Sequence, residues 1–176
     1  HSAGDPLKAL RFTFGNPLFS MTSIQLGQKR IDTLVEAFRE ATMKAGRPIP
    51  ISMDEFTVAV GQRFGHVPVD VPDLHRKQKL WPTYLSGGMI EFILEDRLET
   101  DSFKKPKLAE LWRYTWFARK FMQQLPFWKM EPADYLVSGE GTVEVGAEGG
   151  KRFRLGAQVL ALKGEVYAIY LPCADP

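Results

Sequence analysis

From Ile31 to Phe38 the apolar positions keep a helical beat. Ile31, Leu34, Val35 and Phe38 stand at i, i+3, i+4 and i+7, which puts all four on one face. Gly46 followed by Pro48 supplies the stop. In the next stretch, Pro48 to Phe56, the sequence PIPISMDEF changes to an extended pattern. Ile49 to Met53 is predicted as a short strand whose prolines suit a strand end better than a centre. Thr57 to Val71 contains Gly61, Gly65 and Pro68 without a period and is predicted as a long loop. From Asp73 a helix is expected through Leu80, Trp81, Tyr84 and Leu85, kinked at Pro82. Gly87-Gly88 then opens Met89 to Leu94, an apolar strand interrupted only by Glu91. The last long helix is predicted from Pro106 to Gln124. Leu108, Leu111, Trp112, Thr115, Ala118 and Met122 occupy one side and Tyr114, Phe117 and Phe121 another, so burial on more than one face is expected.

The two ends of the chain have a different rhythm. Residues 1 to 27 are punctuated by Gly4, Pro6, Gly15, Pro17 and Gly27 and are predicted as a long loop. Beyond Trp128 the pattern becomes short alternating strands at Thr142–Val145, Arg152–Leu155, Gln158–Leu162 and Glu165–Leu171. Gly149-Gly150 marks one turn, and Lys163-Gly164 a two-residue hairpin. The pattern predicts an alternating α/β part over 1–128 and a small antiparallel module over 129–176 that leans on it.

Composition narrows the picture further. With 176 residues, 44% of them apolar, the chain has ample material for a globular core. Basic residues exceed acidic ones by only two and are interleaved with them, which argues against nucleic acid as a partner. No apolar run approaches the roughly 20 residues of a membrane-spanning helix. Cys173 is the only cysteine, so an intrachain disulfide is excluded, and no base stands near it to activate a thiolate.

The chemistry points to acids. Asp54 and Glu55 end a predicted strand, and the carboxyl ends of strands are where α/β enzymes project working side chains into a crevice. On that ground Glu55 is the first catalytic candidate. Asp54 would point the other way along an extended backbone and would orient surrounding groups; a turn-capping role for the pair is the plain alternative. Glu91, a carboxylate inside an apolar strand, needs either a partner such as Arg76 or Arg119 or a task. His1, with His66 or His75, could bind copper through its imidazole and terminal amine, but nothing else supports a metal site, and no cofactor is expected.

The order of these segments resembles a known family. Asp-Glu after a strand, then LWPTYLSGG, GMIEFIL, LWRYTWFARKFMQQLPFWKMEPADYL and finally GEVYAIYLP are similar to the C-terminal half of (β/α)8 glycoside hydrolases. Those proteins join an apiosidase-like or cellulase-like barrel to a small β-sandwich labelled for collagen binding. The resemblance runs from His1 to about Leu171. It implies that this chain is the C-terminal portion of a TIM barrel, strands six to eight, followed by the β-module. It places the end of strand six at His1-Ser2, strand seven at Ile49–Met53 and strand eight at Met89–Leu94.

The same resemblance implies Glu55 as nucleophile of a retaining mechanism. His1, Asp54, Trp81 and Glu91 would bind the substrate, with Trp81 offering an apolar face to a pyranose; a core position for Trp81, as for Trp112, is the plain alternative. It implies a carbohydrate substrate and a secreted or cell-envelope location. The family's general acid sits on strand four, so a missing N-terminal half or a second copy of the chain would have to supply it. A non-catalytic carbohydrate-binding or scaffolding protein is the alternative. Three strands cannot close a barrel of eight, so open edges and self-association are expected.

Overall fold

The computed structural model describes residues 5–25, 31–59, 67–68, 72–94, 106–137, 143–146 and 152–172. It shows a mixed α/β architecture with a parallel sheet and a small separate antiparallel one. A short helix α1 (Pro6–Leu10), capped by the Asp5 carboxylate on the Leu7 amide, runs into a 3-10 turn at Arg11–Thr13. Strand β1 (Thr22–Gln25) follows, where the sequence pattern predicts only loop. Four residues with one large apolar side chain carry no usable period. The strand exists because its backbone pairs with the next one and Ile24 enters the core.

Helix α2 (Ile31–Lys44) and strand β2 (Ile51–Ala59) come next. The helix ends as its sequence predicts. Gly46 takes φ +76, its amide bonds to the Met43 carbonyl at 2.9 Å, and the Arg47 amide reaches Thr42 at 3.1 Å. That is a Schellman cap, which needs a left-handed residue. Strand β2 runs on through Phe56 to Ala59, and a two-residue strand β3 (Val67–Pro68) pairs parallel with its end. Both lie within the predicted long loop, and tertiary pairing overrides the weak local signal there.

The next helical stretch is continuous in space but changes pitch. It passes from α3 (Pro72–His75) through a π-helical segment at Arg76–Leu80 to α4 (Trp81–Leu85). The expected kink at Pro82 is thus a widened turn just before it. Proline has no amide hydrogen to give back to the preceding turn, and the Trp81 amide bonds to Arg76 five residues away. A second Schellman cap at Gly87, φ +78, turns the chain into β4 (Met89–Leu94).

Strand β2 is the centre of the parallel sheet, with β1 and then β3 along one edge and β4 along the other. One face is apolar: Ile24, Ile51 and Met53 are buried with Ile31, Val35 and Phe38 of α2, and Leu7, Leu10, Phe14 and Ile90 pack against them. Each such side chain contributes about 1.5–3 kcal/mol on burial, so this cluster outweighs the exposed ion pairs, worth at most about 1 kcal/mol each.

Helix α5 (Pro106–Met122) buries Leu111, Ala118 and Met122. Trp116, Phe117 and Phe121 are exposed, so the expected burial on a second face does not occur among the described residues. The C-terminal strands are β5 (Glu131–Pro132), β6 (Val143–Gly146), β7 (Arg152–Leu155), β8 (Gln158–Leu162) and β9 (Val166–Tyr170). They form a three-stranded sheet in the order β5-β8-β9 and a β6-β7 pair, all antiparallel. Leu162 pairs with Val166, so the hairpin has three connecting residues instead of the expected two, with Gly164 at φ +86. Leu85, Met122, Met130, Leu160 and Ala168 form the seam that fastens this sheet to α4 and α5.

Candidate functional site

The face of the parallel sheet opposite α2 is polar. Along β2 the residues alternate, Ile51 and Met53 entering the core while Ser52 and Asp54 take the other side. The partners of Ser52 in register are Ser23 of β1 and Met89 of β4. On this face the Ser23 hydroxyl donates to the Asp54 carboxylate at 2.9 Å, and the Ser52 hydroxyl donates to Glu91 at 3.2 Å. Each carboxylate is therefore held by a serine on the strand next door.

The register breaks where the acids stand. Met53 pairs with Ile90 and Phe56 with Phe92, so β2 spends two residues, Asp54 and Glu55, where β4 spends one, Glu91. This is a β-bulge, a device that bends the strand, re-aims side chains and is common beside active sites. It corrects one expectation directly. Strict alternation cannot be carried from Asp54 to Glu55, because the backbone is not regularly extended there. The backbone of Glu55 lies in β2, and its side chain falls outside the described residues.

Trp81 is placed elsewhere. Its ring stacks on Tyr170 of β9, 5.7 Å between centroids, and meets Phe121 of α5 nearly at right angles at 5.6 Å. It packs the seam between helices and antiparallel sheet, the core position that stood beside a sugar platform as its alternative, and Tyr170 takes one face of the indole. The strand that precedes α2 and pairs with β2 is Thr22–Gln25, and the strand end expected at His1-Ser2 lies outside the described residues. His1 itself and His66 lie outside the described residues.

His75 is enclosed in α3, and burial, helped by the charge of Lys79, pushes it down to about 3. It is a neutral core imidazole at physiological pH. Burial also pushes Lys79 down to about 8. Asp73 at the start of this helix is raised by burial, but hydrogen bonds from Lys77 and Arg76 outweigh that and hold it below the usual range. Arg76 also lies over the Tyr114 ring at 5.2 Å, tying α3 to α5. Arg76 is thus committed to Asp73 and Tyr114, and Glu91 is hydrogen-bonded by Ser52, so the alternative of a Glu91–Arg76 pair is not what the structure shows.

A hollow of about 650 Å³ opens at the opposite end of the sheet, under the amino ends of β2 and β4. Pro50, Ile51, Gly88 and Met89 form its roof, and neither Asp54 nor Glu91 lines it. This hollow is thus not the sugar-sized space expected between the acids. No group of three or more metal-binding side chains occurs among the described residues.

The chain matches no family model, no curated protein and no solved structure. Its function has to be argued from the bulge and the carboxylates alone. Sequence reasoning found those carboxylates but missed Ser23 and Ser52. The available signal was the two-residue spacing of Ser52 and Asp54, which assigns both to one face of a strand.

Proposed function

We propose that this chain supplies the nucleophile-side half of a (β/α)8 glycoside hydrolase acting on a plant or microbial polysaccharide or oligosaccharide. The supporting observation is the bulge that sets Asp54 and Glu55 opposite Glu91 in the middle of the parallel strands β2 and β4, where the sequence pattern predicts a strand end. Chain order equals spatial order for β1, β2 and β4, as in consecutive strands of such a barrel. In this reading Glu55 attacks the anomeric carbon. Glu91, steadied by Ser52, and Asp54, steadied by Ser23, bind sugar hydroxyls. Retention of configuration needs a second carboxyl group about 5 Å from the nucleophile. That proton donor comes from further chain or from a second copy, which is the protein partner this function calls for. A secreted or cell-envelope location fits the substrate class, and no helix is long and apolar enough to cross a membrane among the described residues.

The test is turnover of a glycan and aryl-glycoside panel by the intact protein. Glu55→Gln is expected to lower kcat by about a thousandfold or more with an unchanged thermal melt. Turnover equal to wild type removes Glu55 from the mechanism. A non-catalytic carbohydrate-binding role is favoured by one observation: Glu91 and Asp54 are already satisfied by serines on an open face. It predicts glycan binding without turnover, lost in Glu91→Ala and retained in Glu55→Gln.

A further inference from the structure

We propose that the hollow under the amino ends of β2 and β4 is a binding site for a small organic acid with an apolar, ring-bearing body. At about 650 Å³ it falls in the range of small-molecule sites. Its walls come from three directions: Met43 at the end of α2, Tyr84 of α4, and Phe127 and Trp128 just beyond α5. Met43, Met89, Phe127 and Trp128 are all exposed, an apolar surface that an apolar ligand body would cover. The aromatic rings favour a planar partner.

The polar groups fix the sign of the ligand. Two arginines and one glutamate line the hollow. Arg39 is spoken for, since it pairs with Glu131 at 2.8 Å and donates to the Gly87 carbonyl. Thr42 is likewise used, its hydroxyl donating to the Arg39 carbonyl at 2.9 Å. Arg119 makes no ion pair among the described residues and leaves the hollow one positive charge in excess. Beside it stands the Tyr84 hydroxyl, raised by burial and lowered in part by the Arg119 charge, so it is a protonated donor at neutral pH. A guanidinium and a phenol on the walls of one hollow are two donors for a carboxylate. A sugar fits poorly, because these walls offer few free polar groups to answer its hydroxyls. This site does not depend on the glycosidase reading, and it lies at the other end of the strands.

The experiment is calorimetric titration of the intact protein with 4-phenylbutyrate and with its primary amide, a neutral isostere. The acid is expected to bind roughly tenfold or more tightly than the amide, the margin a charge-assisted contact supplies. Arg119→Met should bring the acid down to the level of the amide and leave the amide unchanged, and Tyr84→Phe should weaken the acid alone by a smaller factor. Met43→Glu, at an exposed wall position, should abolish binding of the acid without touching the core. The proposal is overturned if a folded protein binds neither compound at millimolar concentration, if acid and amide bind alike, or if Arg119→Met and Met43→Glu both leave the acid's affinity unchanged.

Discussion

Gly46 and Gly87 both end helices in the left-handed region, yet their surroundings differ. A Cβ on Gly46 meets nothing within 4 Å, whereas one on Gly87 would stand 2.7 Å from the Arg39 guanidinium. Gly46→Ala is therefore expected to cost about 1 kcal/mol, the penalty of positive φ alone. Gly87→Ala adds displacement of Arg39 from the Gly87 carbonyl and from Glu131, roughly 1 kcal/mol more. Urea unfolding midpoints at constant m-value measure both, and equal costs would show that Arg39 moves aside freely. The cap at Gly46 was legible, because glycine after a periodic apolar run has one common use, whereas Gly87-Gly88 was legible only as a turn opening the next strand. The environment of Gly87 was not, since Arg39 is distant in sequence.

A second residue-scale prediction concerns pH. The folded pKa of His75, about 3, lies below its unfolded value of 6.5, so between those values the unfolded chain binds a proton that the folded chain does not. Stability is fully present above pH 6.5 and is lost as pH falls toward 3. From pH 6.5 to 5 the loss is about 2 kcal/mol from this group, in a range where most carboxylates remain ionised. His75→Leu should flatten that limb of the stability curve, and an unaltered slope would sink the assignment. Lys79 acts on the other side: its penalty is relieved as pH rises from about 8 through 10.5. From sequence, His75 read as one of several histidines, because burial of a single side chain is a tertiary property.

At the scale of elements, β2 makes the clearest case, since its two faces do different work. Met53 is fully buried in the core, and Ser52, equally enclosed, spends its hydroxyl on Glu91. Met53→Ala is expected to cost about 2–5 kcal/mol through the cavity it leaves, and Ser52→Ala about 1 kcal/mol through one lost hydrogen bond. Denaturant titration of the two variants checks the order, and a reversal would mean that the faces are misassigned. Helix α2 and strands β4, β8 and β9 were legible because each carries its own period or turn residues, and of β2 only the start, Ile51–Met53, was legible. Strand β1 was not, and neither was the bulge: a register shift is a relation between two strands, and Asp54-Glu55 looks like any acid pair until Glu91 is placed opposite it. The π-helical turn before Pro82 was legible only as a disturbance.

The whole molecule carries surfaces that its own described residues leave open. Among the described residues β1 and β4 each pair on one side only, and Trp116 and Phe117 of α5 are exposed. Unpaired parallel edges and exposed aromatics both favour association. A barrel closes such edges, which makes them the physical counterpart of the proposed missing half. A protein made of residues 1–176 alone should therefore form dimers or larger species at micromolar concentration, measured by light scattering coupled to size exclusion. Replacing Trp116 and Phe117 together by glutamine should reduce association if the helix face is the contact and leave it intact if the strand edges are. A stable, well-folded monomer at every concentration would mean that the edges need no partner, and the barrel reading, with the glycosidase function built on it, would fall.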